Sequence, residues 1–298
     1  MKKLKIKNLS PTPLLIVLAV FIFITVPIRV FQLTNCIDPQ TGFWAAQDFT
    51  ALLLYILIIV FAVVAFLLSF FSATMTRPEF GEKKDVIYGV CSALFAVSIF
   101  AQTGLSASSL LTKISTFTVS SEVPTSIVSM LISSGVLSIG LEVIFGIFSG
   151  IYFIFAAIGA FTGADKVSSH RLMGLAPVIW VMARLVYHFI DPINYRYVSQ
   201  LFLEILLYCF AMVFFLSFAR IASGINEEKS MEIIWFTGVL VSLVSFICAF
   251  APLILLITGK GNLIPDKYPL NFADLGLAFF STSFLFTITP LTNEIGED

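Results

Sequence analysis

The sequence predicts an all-α, polytopic integral membrane helix bundle of about eight transmembrane helices, on three observations. Only 12% of the 298 residues are charged and 58% are hydrophobic, with a mean hydropathy of +1.00. Globular domains carry about twice that share of charge. The apolar residues fall in runs of about 20, the length that crosses a hydrocarbon core of ~30 Å. Lys and Arg, finally, are segregated into alternate connecting segments.

The first span runs from about Pro13 to Leu33, after the basic stretch MKKLKIKNLSPTP. It reads as an uncleaved first helix, because no small-x-small cleavage site follows it. Pro27 should kink or loosen it, and Arg29 and Gln32 lie near its end. The turn-forming loop TNCIDPQTGFWAAQD follows, with Phe43 and Trp44 suited to a membrane interface. Span two, Phe49 to Phe71, has no charge and ends in the polar loop TMTRPEFGEKKD. Span three is placed at Val86 to Gly104.

Between Leu105 and Ser138, 15 of 34 residues are Ser or Thr. The reading is an exposed, partly amphipathic connector; a re-entrant or pore-lining segment is the alternative, since hydroxyls can line a wet cavity at membrane depth. Span four, Ile139 to Phe161, carries GIFSG (Gly146, Gly150) and GAFTG (Gly159, Gly163), spacings that let helices approach closely. Span five is Leu175 to Ile190, preceded by a short loop in which His170 is read as solvated. Span six is Tyr197 to Ile221. Span seven, Ile233 to Thr258, should kink at Pro252. Span eight, Ala273 to Leu291, begins with Asp274.

With the N-terminus inside, the inner segments hold eleven Lys and Arg and the outer segments four. This predicts both termini on the cytoplasmic side; the short loops and Lys-rich inner segments of a compact polytopic chain suit a plasma (inner) membrane of bacterial type. A duplication is also visible. Span one ends Arg29 … Ile37-Asp38-Pro39 and span five ends Arg184 … Ile190-Asp191-Pro192, and the spans after each close with similar Phe-rich, then polar, segments. The halves 1–163 and 164–298 then read as parallel 4+4 repeats, related by an axis along the membrane normal, with Arg29 and Arg184 at equivalent positions. Accidental matching of Phe/Leu-rich helices is the alternative.

The chemistry-bearing residues are ionisable groups inside spans, where a charge at the bilayer centre costs roughly 2.5–3.5 kcal/mol on insertion scales. Arg184, Tyr187, His188 and Asp191 share one helical face, and Gln200, Glu204 and Tyr208 share another after the turn DPINY. Arg184 and Glu204 lie symmetrically about that turn, which predicts that they pair or share a ligand. Arg29, Glu142 and Asp274, with Asp38, Asp48 and Arg196, belong to the same outer level. The candidate ligand-binding set is therefore Arg29, Glu142, Arg184, His188, Glu204 and Tyr208, with Trp180 as a wall. The 32 Phe residues are read as a lipid-exposed surface.

Two functions fit this pattern. One is binding or transport of a small polar or anionic solute, or of a lipid headgroup, through an outer-leaflet polar site. The other is a sensor, scaffold or accessory subunit whose buried charges are architectural. An enzyme is not expected: no GxSxG, HExxH, Walker or GxGxxG pattern occurs. Cys36, Cys91, Cys209 and Cys248 are isolated, so neither a metal site nor a disulfide framework is read. No cofactor and no nucleic-acid partner is expected; the lipid bilayer is.

Overall fold

The computed structural model describes residues 12–38, 44, 49–71, 84–119, 135–164, 167–190, 198–264 and 270–288. The basic N-terminus, the polar loop after span two up to residue 83, the residues 120–134, the turn 191–197 with Asp191 and Arg196, Asp48 and the acidic tail lie outside the described residues. Those described are all-α: α1 Thr12–Phe31 with a π-turn Gln32–Cys36, α2 Phe49–Phe71, α3 Val86–Val119, α4 Val136–Thr162, α5 Ala176–Ile190 after a 3₁₀ stretch Ser168–Leu175, α6 Val198–Ala222, α7 Glu227–Ile257, and α8 Phe272–Thr287. Seven are long and apolar enough to cross a membrane, and α8, at 16 residues, is a shorter apolar helix.

Helix ends follow from local chemistry. The Asp85 carboxylate accepts from the Tyr88 backbone N–H at 3.0 Å and caps α3. Asn271 does the same for α8 through Ala273 N–H, also at 3.0 Å. Gly163, at φ 71°, terminates α4 in the left-handed conformation and returns its N–H to Gly159. The GAFTG spacing is thus a helix stop. GIFSG is different, as described below.

Three expectations need correction. α3 does not stop at Gly104 but runs on to Val119, so the first part of the expected connector is helix. Its small hydroxyls bond back to the helix, as Ser108 Oγ does to the Leu105 carbonyl, and this leaves it helical despite its polarity. His170 is half-buried, its ring stacked on Phe155 at 4.6 Å. The phenylalanines are only in part a lipid-facing coat: Phe23, Phe49, Phe66, Phe189 and Phe286 are exposed, whereas Phe95, Phe153, Phe214, Phe215, Phe218, Phe280 and Phe284 are fully buried. At the two prolines, α1 continues as one helix through Pro27 and α7 as one helix through Pro252.

α3, α4, α5, α6, α7 and α8 close into a ring, each packing on the next and α8 returning to α3. Two ring helices come from residues 1–163 and four from 164–298. Phe95 of α3 fills the ring, 4.7 Å from Phe153 of α4, 5.2 Å from Phe280 of α8 and 6.1 Å from Phe215 of α6. Tilted and offset ring pairs of this kind contribute beyond their buried area. α1 and α2 lie outside the ring, both against α7. One end of the bundle is marked by Asp85, whose N–H donates to the Ala160 carbonyl at 3.1 Å and whose carboxylate accepts from Thr287 Oγ1 at 2.9 Å. α1 and α5 therefore end, and α4, α6 and α8 begin, at the opposite end.

The α3–α4 seam needs glycine. A Cβ at Gly150 would lie 2.6 Å from Phe100 Cζ, whereas one at Gly140 meets nothing within 4 Å. Gly150→Ala should therefore destabilise by ~1–3 kcal/mol through overpacking. Gly140→Ala should be neutral or stabilise by roughly 0.5–1 kcal/mol. Thermal unfolding of both variants in detergent checks the pair.

Candidate functional site

All six candidate residues meet in one buried cluster at the end of the bundle opposite Asp85. α1 and α5 deliver Arg29 and His188 from their last turns and Arg184 from the turn before, and α8 delivers Asp274 from its first turn while α4 and α6 deliver Glu142 and Glu204 from their second. Arg29, His188 and Asp274 thus sit at the helix ends that helix dipoles favour for their charge.

The contacts form a continuous chain. Arg29 Nη1 donates to Gln32 Oε1 at 3.1 Å and to Ser199 Oγ at 2.8 Å, and Nη2 donates to Gln200 Oε1 at 2.9 Å. Gln200 Nε2 donates onward to Glu204 Oε1 at 2.9 Å. The other Glu204 oxygen lies 3.4 Å from His188 Nε2, and the His188 ring stacks on Tyr208 at 5.4 Å. Arg184 lies over the Tyr208 ring at 4.7 Å and the Trp180 ring at 5.1 Å. Its Nε is 3.6 Å from Glu142 Oε1 and its Nη1 is 3.8 Å from Asp274 Oδ1. Ser106 of α3 donates to Glu142 at 2.8 Å, and Asn271 donates to the Tyr208 hydroxyl at 3.1 Å.

Of the expectation that Arg184 and Glu204 pair or share a ligand, the direct ion pair is corrected by this geometry: the ion pairs of Arg184 are with Glu142 and Asp274. Matching depth on two helices does not fix rotation, and Arg184 turns toward α4 and α8, where two carboxylates await it. Glu204 divides between Gln200, which leads to α1, and His188 of α5. The two arginines, expected as equivalents, have different surroundings: Arg184 is caged by carboxylates and aromatic faces, whereas the three hydrogen-bond acceptors of Arg29 are neutral. Arg29 is only 1% exposed, and among the described residues its Nε has no hydrogen-bond partner. Sequence reasoning does not find Ser199, Ser106 or Asn271. Ser106 lies inside the stretch that reads as a connector, and Ser199 and Asn271 carry no periodicity of their own.

The cluster has two poles. At the Arg184 pole, Glu142 and Asp274 outnumber the one guanidinium. At the Arg29 pole the guanidinium meets the N-terminal turn of α6, itself a positive helix end, and its hydrogen-bonded path to a carboxylate runs through Gln200 to Glu204. Among the described residues, no three His, Cys, Asp or Glu side chains converge as metal ligands.

Removing the Arg184 guanidinium leaves two buried carboxylates without a cation. Arg184→Met should cost ~3–5 kcal/mol, and adding Glu142→Gln and Asp274→Asn should recover a large part of it. Unfolding of the single, double and triple variants in one detergent measures this coupling. The chain matches no protein-family model, no curated protein and no solved structure, so the reading of the site rests on its geometry alone.

Proposed function

We propose that this membrane protein binds a small anionic group, carried by a solute or by a lipid headgroup, at the Arg29 pole of the cluster. The observation that carries this reading is the contrast between the arginines. Arg184 is neutralised by the protein's own carboxylates, and Arg29 is held by neutral acceptors beside a positive helix terminus. A buried cation so placed favours an anion that completes its surroundings. Ser199 is the route to it: half-buried, it accepts from Arg29 and retains its own O–H to donate outward. With the orientation given by the Lys and Arg distribution, this pole faces the outer leaflet of a bacterial-type inner membrane. Binding at that level serves uptake, export or sensing of the anion.

The Arg184 pole favours a second role for the same cluster. Its enclosure by four helices makes it an architectural lock, as expected of a scaffold or accessory subunit, and the two roles can coexist at opposite poles.

The test is thermal unfolding in neutral detergent with inorganic phosphate, glycerol phosphate and dodecyl phosphate, on wild type and Arg29→Gln. A bound anion at 100 times its Kd stabilises by ~2.7 kcal/mol. At least one probe should stabilise wild type and leave Arg29→Gln unshifted. Equal shifts in both proteins, or none in either, would overturn the reading.

A further inference from the structure

A lipid-facing groove runs beside the Arg29 pole. It has a volume of about 550 Å³ and lies between α2 and α6, lined by Trp44, Tyr55, Ile59, Ser199, Phe202 and Phe210 among others. It exists because α2 packs on α1 and α7 and stands off from α6. Tyr55 and Phe202 meet edge to face across it, with ring centroids 5.4 Å apart. Its walls are almost wholly apolar, and the polar exception on the α6 side is Ser199, the hydroxyl held by Arg29.

Three dimensions select an occupant. From Val198 to Phe210 the groove follows α6 for about 18 Å at ~1.5 Å per residue, close to the ~15 Å depth of one leaflet's hydrocarbon. Its volume falls within the ~300–1,000 Å³ of ligand pockets. A helix ~10 Å across would displace roughly 1,400 Å³ over that length, more than the about 1120 Å³ of open space in and above the groove, so a partner helix rests on the rim without filling it. Trp44, held by its antiparallel bridge to Ile37, stands at the mouth, where an indole suits the headgroup level.

We infer that the groove is a binding site for an anionic phospholipid, one acyl chain lying between α2 and α6 and the phosphate accepting from Ser199 in front of Arg29. This rests on the anion site proposed above and names its ligand: the anion arrives on a lipid. The chain supplies apolar burial, and the headgroup supplies the negative charge that the neutral acceptors of Arg29 lack. A neutral or zwitterionic lipid occupies the same groove with less electrostatic gain.

Tryptophan fluorescence reads this directly. Trp180 and Trp235 are 1% and 0% exposed, so Trp44 is the indole that lipid chains can reach. The protein is reconstituted in phosphatidylcholine vesicles doped with brominated-chain phosphatidylglycerol or, at equal mole fraction, brominated-chain phosphatidylcholine, with Trp44→Phe giving the background. One charge-assisted hydrogen bond corresponds to a roughly 10-fold preference for the anionic lipid. That preference should fall to about 1 in Arg29→Gln and be reduced in Ser199→Ala, which leaves Arg29 and its burial in place. Equal quenching by the two lipids in wild type, or a preference unchanged in both variants, would overturn the lipid assignment. If the preference is absent while inorganic or glycerol phosphate still stabilises the protein through Arg29, the anion site stands and the lipid is wrong. If neither occurs, both fall together.

Discussion

Hydrocarbon cannot solvate charge, and the Arg184 guanidinium is where this protein meets that constraint most directly. Glu142 and Asp274 reach it from α4 and α8, and Trp180 and Tyr208 cover its faces from α5 and α6. Arg184, Glu142 and Asp274 are all buried, so each helix can rotate or slide only as far as its charged residue keeps its partner. A ring of Phe-rich helices is otherwise free to settle in many rotations, because one aromatic surface resembles the next. The ionic contacts convert a loosely specified apolar bundle into one register. The deeper aromatic packing around Phe95 then fills the space that this register defines.

The same cluster joins the ring to α1. Arg29 reaches α6 through Ser199 and Gln200, and Gln200 passes the connection to Glu204. α1 is thereby tied to the ring at its polar end as well as packed along α7. The cluster reaches α2 through Gln32, which donates to the Thr50 carbonyl at 2.7 Å. That attachment holds α2 to α1, and the apolar groove opens on the side where α2 stands apart from α6.

The helical class, the number of apolar helices and the end at which charge gathers were legible in the sequence, because run length and rare intramembrane charge are strong signals. All six candidate residues do lie in one cluster. Their pairing was not legible. Arg184 and Glu204 share a depth, but depth is only one of the two coordinates that a helical residue has, and the second depends on neighbours far away in sequence. Ser106 is hidden for another reason: a Ser/Thr-rich stretch looks like a loop by composition, yet it stays helical when its hydroxyls bond to the preceding turn, as those of Ser108 and Thr112 do. The buried phenylalanines look lipid-facing by sequence because hydropathy cannot tell an apolar core from an apolar solvent.

Arg29 carries a consequence for biosynthesis. Its partners Ser199 and Gln200 lie 170 and 171 residues further along the chain. At ~5–20 residues per second, translation takes roughly 10–30 s to deliver them. Until α6 emerges, Arg29 has only the neighbouring Gln32 within its own segment, and an unsatisfied guanidinium resists full immersion in lipid. α1 therefore reaches its final depth only after α6, 170 residues further along the chain, has been delivered to it.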